Sequence, residues 1–214
     1  MSQDESAKQS AAAEDLPMED MPELVIVSGM SGAGRTEAMH VFEDLGYFCV
    51  DNLPASLIGN LFELGGMAEL PGQPAGECRI AVVCDARNRS FFSGLTDELH
   101  RLDARGIEYR ILFLDASDEK LIARYKSSRR RHPLCEDGTS IEQGIQRERN
   151  LLFGVRELAH DVIDTTAMLP QQLRATIREL FATGQERRGL AVTVYSFGFK
   201  HGAPRDADLV MDVR

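Results

Sequence analysis

The chain has 214 residues, a 43% apolar fraction and a formal net charge of −10. That length suits one α/β domain, or one domain with part of another, and a chain of this size buries roughly 70% of its unfolded surface without disulfide or metal staples. The acidic balance argues against a nucleic-acid surface over the whole molecule, and no run of about 18 apolar residues is present to cross a membrane.

Residues 1–22 hold six acids (Asp4, Glu5, Glu14, Asp15, Glu19, Asp20) and one base, Lys8. With few large apolar residues, this segment predicts a disordered acidic tail, and it is too acidic for a signal peptide. Beyond it, short apolar runs alternate with helical patterns. Residues 24–28 predict a buried strand, and 36–45 a helix with Met39, Phe42 and Leu45 on one face. Residues 47–51 predict a second strand, stopped by Asn52-Leu53-Pro54, then a helix over 56–64 and a Gly- and Pro-rich loop from Gly65 to Gly76. A third strand is expected over 79–85, a helix over 90–105 and a fourth strand over 109–115. Ser117 caps a helix reaching about Ser128, with Asp118 and Glu119 in its first turn. Residues 140–159 read as helix, 160–164 as a short strand and 170–182 as a last helix. This alternation predicts a three-layer α/β domain of the P-loop NTPase or kinase-like kind, a parallel sheet with helices on both faces. The expected organisation is a tail over 1–22, that domain over 23–185, and the start of a C-terminal domain or a linker over 186–214.

The stretch Gly29-Met30-Ser31-Gly32-Ala33-Gly34-Arg35-Thr36 lies between the first strand and the first helix. It fits the phosphate-binding pattern G-x-x-x-x-G-K-[ST], except that Arg35 stands where lysine is expected. Glycines let such a loop turn tightly so that backbone N–H groups converge on phosphate oxygens, and the following helix adds its positive end. The Thr36 hydroxyl is a candidate Mg²⁺ ligand. A Gly-rich turn without ligand is the plain alternative; the strand before and helix after argue for the functional one. Arginine for lysine is not a conservative exchange, so binding is expected more firmly than turnover.

Ligands of parallel sheets bind at the carboxyl ends of the strands, where Asp51, Asp85 and Asp115 also fall. Asp85 is preferred over Asp115 as the acid that holds Mg²⁺ through water. It opens Asp85-Ala86-Arg87-Asn88, whereas Asp115 reads as a helix entry. Asp51 is either an acceptor-side group, even a base, or a turn residue ending its strand; Asn52 reads as a turn residue tolerating unusual backbone angles. Arg35, Asp85 and Asp51 are thus the candidate catalytic residues. Arg124, Lys126, Arg129, Arg130 and Arg131 put five cations in eight residues. They read as an arginine-rich lid over phosphates, as a solvated helix end, or as an RNA contact. The five histidines show no metal-ligand spacing, and the four cysteines no C-x-x-C; Cys49 and Cys84 read as small buried thiols. A cytoplasmic protein without disulfides or zinc is the expectation.

Several blocks together resemble the RapZ/YvcJ family of bacterial nucleotide-binding proteins. They are residues 25–36, Leu45 to Pro54 with its Asp-Asn-Leu-Pro, Asp85-Ala86-Arg87-Asn88, Leu112 to Ala116, Arg129-Arg130-Arg131-His132-Pro133-Leu134, and Ser196-Phe197-Gly198-Phe199-Lys200-His201-Gly202 followed by Asp212-Val213-Arg214. The resemblance runs from about residue 23 onward with the blocks in order. It implies an ATP- and GTP-binding domain with weak hydrolysis and Mg²⁺. It implies nucleotide contacts from Gly29 to Thr36 and from Asp85, Ala86, Arg87 and Asn88. Family members carry a second domain with a Gly-Cys-Thr-Gly-Gly-x-His-Arg-Ser type motif, which binds small RNA in the RNase-adapter members. Residues 190–214 resemble only its beginning, so RNA is not expected as a partner of this chain by itself. A small-molecule kinase and an RNA-binding adaptor are the alternative functions, and the sequence leaves a homo-oligomer open.

Overall fold

The computed structural model describes residues 24–67, 79–84, 91–129, 131–135, 138–182 and 209–211. The expected acidic tail, Asp85 to Asn88, Arg130 and nearly all of 186–214 lie outside the described residues.

Five strands form one parallel sheet: β1 (Leu24–Gly29), β2 (Phe48–Leu53), β3 (Ile80–Cys84), β4 (Tyr109–Asp115) and β5 (Asp161–Asp164). Their spatial order is β2-β3-β1-β4-β5. Every residue of β1 and β3 is buried, which explains why these strands read as unbroken apolar runs: both faces are covered. The connecting helices are α1 (Arg35–Asp44), α2 (Ile58–Met67), α3 (Phe91–Ala104), α4 (Asp118–Ser128), α5 (Ile141–Glu157) and α6 (Pro170–Phe181). The chain leaves β1 toward β2 and then works back across the sheet. Right-handed crossovers therefore put α1 on one face and α2 to α5 on the other. α6 joins α1: the Phe42 and Phe181 rings meet edge to face with centroids 5.0 Å apart, and Arg178 bonds Asp44 at 2.6 Å. The Arg110 guanidinium grips Asp161 through two bonds of 2.6 and 2.9 Å and lies 4.8 Å from the Phe181 ring, fastening β5 to β4 and α6.

The predicted elements are present, with boundaries shifted for physical reasons. β2 does not stop before Asn52 but continues to Leu53, through a register shift against β3 between Val50 and Leu53. Asn52 sits there at φ 61°, the left-handed conformation that asparagine tolerates. The helix expected over 56–64 is a 3₁₀ turn at Ala55–Leu57 followed by α2, which runs on through Gly65 and Gly66 to Met67, where a loop was expected. Gly65 is buried, so tertiary packing outweighs the poor helix propensity of glycine. Ser117 caps α4 as predicted, and Ser140 forms a reciprocal capping box with Gln143 at the start of α5.

Candidate functional site

The loop after β1 is built by three glycines at positive φ: Gly29 at 142°, Gly32 at 89° and Gly34 at 111°. Gly29 also lies where a Cβ would stand 2.3 Å from the Leu114 carbonyl oxygen, so only glycine lets the chain leave β1 beside β4. The Met30 amide then donates to that same carbonyl at 2.9 Å, and the Ala33 amide closes the turn on the Met30 carbonyl at 2.9 Å. Met30 and Ala33 are buried, anchoring the loop from below.

The Gly32 and Ala33 carbonyls of the loop are tied down from the β4–β5 side. Arg124 donates to the Gly32 carbonyl at 2.8 Å and to Thr165 at 3.1 and 2.7 Å. The buried Thr165 hydroxyl reaches the Ala33 carbonyl at 2.9 Å. The Met30, Ser31 and Ala33 amides are engaged by the Leu114 carbonyl, Glu148 and the Met30 carbonyl, which leaves the start of α1, at Gly34, Arg35 and Thr36, as the place for an anion. Its N-cap, Gly34, provides no side-chain cap, unlike the serines of α4 and α5. A helix start of this kind offers unpaired N–H groups and a positive end.

A buried polar triad supports the loop from the α5 side. Both oxygens of Glu148 accept from Ser31: the amide at 3.0 Å and the hydroxyl at 2.5 Å. Glu148 also meets His132 Nε2 at 3.1 Å. Because the Leu134 amide donates to His132 Nδ1 at 3.2 Å, that nitrogen is the acceptor and Nε2 carries the proton. Glu148 is 5% exposed and His132 1%. Burial pushes the Glu148 carboxyl up, but the hydrogen bonds from His132 and Ser31 outweigh it and hold the group below the usual carboxylate range. Arg35 folds back to donate to the Ser31 hydroxyl at 3.3 Å. The Tyr125 ring packs 5.0 Å from His132. The segment from His132 to Cys135 lies so close to α5 that a Cβ on Gly144 would stand 2.6 Å from the Cys135 sulfur and 2.8 Å from His132 Nδ1.

The structure brings Arg35, Thr36 and Asp51 to one place, the walls of a cavity of about 500 Å³ beside the loop. It places Arg124 against the loop backbone, Arg129 exposed in a left-handed turn at the end of α4, and Arg131 exposed beyond it. Asp115 is occupied structurally: Arg149 and Arg156 bond its carboxylate at 3.0 and 3.3 Å, and its own chain's Ala116 amide at 2.8 Å. Cys84 is buried, whereas Cys49 is only half-buried and lines the cavity. Glu148, His132 and Thr165 were missed in the sequence. One signal was available for Glu148: the buried stripe of α5 is Gly144, Ile145, Glu148, Leu152 and Val155, so a carboxylate stands among apolar positions at helical spacing. His132 and Thr165 carry no such pattern.

Among the described residues no helix is long and apolar enough to cross a membrane. Residues 22–185 match the family model of the RapZ-like N-terminal domain, and residues 190–214 that of the RapZ C-terminal domain. A protein of Moorella thermoacetica named "Nucleotide-binding protein" is 51% identical over 199 residues, 93% of this chain and 65% of that protein. "Nucleotide-binding protein STH186" of Symbiobacterium thermophilum is 52% identical over 192 residues, 89% of this chain and 61% of its own length. The chain thus spans less than two thirds of the length of these relatives. Among solved structures, a shikimate kinase from Acinetobacter baumannii superposes with a TM-score of 0.49 at 18% identity, covering 76% of this chain and 93% of that one. The family-model match over three quarters of the chain and the identity to these relatives together establish that the protein belongs to the RapZ-like family, through its N-terminal domain.

Proposed function

We propose that the domain is a regulatory nucleotide-binding unit that takes ATP and GTP with Mg²⁺ at the Gly29–Thr36 loop and hydrolyses them slowly. The observation that carries this reading is the loop itself. Its Gly32 and Ala33 carbonyls are engaged by Arg124 and Thr165, and the start of α1, without a side-chain cap, borders the cavity through Arg35 and Thr36. An anion of the size of a triphosphate suits that arrangement of amides and helix end. The names of the relatives in Moorella and Symbiobacterium support the same ligand class. The two successive family-model matches support a boundary near residue 186.

Mg²⁺ fits a site poor in protein ligands. Among the described residues there is no group of three His, Cys, Asp or Glu able to hold a metal, and Thr36 is exposed at the cavity wall. Such a site leaves most of the coordination to phosphate oxygens and water, with Thr36 directly and Asp85 through water as the protein's share. Bound there, Mg²⁺ supplies charge neutralisation between phosphates. Slow turnover follows from Arg35. Its guanidinium is directed back to Ser31, so it shapes the loop and is poorly placed to follow charge that develops on a transferring phosphoryl group. Arg129, Arg130 and Arg131 follow α4 and are the candidates to close on the phosphates; Arg124 supports the loop instead.

Thermal shift with MgATP and MgGTP tests the reading. At 100 times Kd either ligand is expected to add ~2.7 kcal/mol of stability, a rise in Tm of roughly 5–10 °C for a chain of this size. Arg35→Ala is expected to weaken MgATP binding by about tenfold, because the loop loses both the guanidinium that bonds Ser31 and a positive charge beside the phosphates. No shift with either nucleotide at millimolar concentration would end the proposal.

A further inference from the structure

Among the described residues, the carboxyl end of the sheet is filled on one side of the loop and carries a cavity on the other. Toward β4 and β5, Arg124 and Thr165 fill the space. Toward β2 and β3 lies the cavity of about 500 Å³, within the size range of small-molecule sites. α1 supplies Arg35 and Thr36 at the loop end of this cavity and Glu43 further along; β2 supplies Cys49, Asp51 and Asn52.

The irregularity in β2 adds to the cavity lining. Alternation along a strand puts Cys49 and Asp51 on the same face. The register shift after Val50 and the left-handed Asn52 then turn a third side chain into the same space. Bulges are a common means of aiming side chains at sites.

The lining selects its occupant. Among the described lining residues, the Asp51 and Glu43 carboxylates disfavour an anion and the Arg35 guanidinium at the loop end disfavours a cation, with the His40 ring also on the wall. Carboxylates and the Asn52 amide offer acceptors for several hydroxyl donors, over a floor that includes Met39 and Val83. Covalent thiol chemistry is not on offer: burial and the Glu43 charge push the Cys49 thiol up to about 12, so it stays protonated, and it donates weakly to the Met39 carbonyl at 3.7 Å.

We propose that this cavity is a second ligand site, taking a small uncharged molecule rich in hydroxyl groups and holding it beside the terminal phosphate of the nucleotide, with Asp51 accepting a hydroxyl hydrogen bond. The position of its neighbour rests on the nucleotide reading of the loop; the cavity walls do not.

Saturation-transfer NMR on the full chain tests it, with D-ribose, myo-inositol and glycerol as probes and D-glucuronate as the anionic control, each with and without MgATP. Transfer to at least one polyol is expected, and none to glucuronate. Cys49→Phe fills the cavity and is expected to abolish the transfer while the MgATP Kd stays unchanged; circular dichroism checks that it folds. Asp51→Ala, at an exposed position that does not threaten folding, is expected to weaken polyol binding by ~10-fold. Absence of transfer to all three polyols overturns the proposal, as does transfer that survives both substitutions or equals that to glucuronate. Polyol binding without any MgATP binding would retain this site and sink the nucleotide reading; the reverse result would do the opposite.

Discussion

Glu148→Ala is expected to destabilise the domain by ~2–4 kcal/mol, because a buried donor left without its acceptor costs about 1–3 kcal/mol. The substitution strips acceptors from three donors at once: the Ser31 amide, the Ser31 hydroxyl and His132 Nε2. Two of these belong to the phosphate loop, so the loss falls on the loop first. Ser31 immediately precedes the glycine turn that sets the amides of Gly34 to Thr36. MgATP affinity is therefore expected to fall by more than tenfold even below the denaturation temperature. Glu148→Gln keeps the shape and one acceptor oxygen, and its N–H₂ can donate to the Ser31 hydroxyl, but it loses the charge that strengthens these bonds, and is expected to fall between. Urea midpoints and MgATP titrations of both variants decide this. A midpoint and an affinity equal to those of the parent chain would show that the triad does nothing for the loop.

The same group dictates an acid dependence. Glu148 ordinarily titrates near 4.5, and in the folded chain it is held lower by its donors. A depressed folded value means that its contribution is complete above the ordinary value and is lost as pH falls through the depressed one. Stability measured from pH 6 downward is expected to decline in the acid limb, less steeply in Glu148→Gln. An identical slope in both chains would assign the decline to other carboxylates.

Gly29→Ala is the second large effect expected, a loss of ~2–6 kcal/mol from two causes that add. A Cβ would stand 2.3 Å from the Leu114 carbonyl oxygen and 2.7 Å from its amide nitrogen, both backbone atoms that cannot swing aside. Such overpacking costs typically ~1–3 kcal/mol. The φ of 142° is one that side-chain-bearing residues rarely adopt, adding ~1–3 kcal/mol. Relief requires β1 and β4 to part at their carboxyl ends, where Gly29 pairs with Leu114 and the Met30 amide bonds the Leu114 carbonyl. Nucleotide binding is expected to vanish with the geometry. Gly94→Ala is the control: nothing lies within 4 Å of its Cβ, and it sits inside α3, so it is expected to be neutral or stabilising. Equal unfolding midpoints for the two variants would refute the steric account.

The elements were legible in the sequence because their causes are local. Apolar runs at β1, β3 and β4 require burial on both faces. Ser117 and Ser140 start helices through their own hydroxyls. Gly29 to Thr36 announces a turn that only glycines allow. Boundaries slipped where packing outweighed propensity, as in α2 past Gly65, and where a register shift carried β2 beyond Asn52 to Leu53.

The chain alone thus determined the parallel α/β architecture and the phosphate-type loop, since strand periodicity, caps and glycine conformations act over a few residues. Only the tertiary structure decided which distant groups complete the site. Glu148 reaches Ser31 across 117 positions, Thr165 reaches Ala33 across 132, and Arg124 reaches the Gly32 carbonyl across 92. Such pairings are set by which helix packs against which strand end, and no local pattern in the residues themselves encodes that distance.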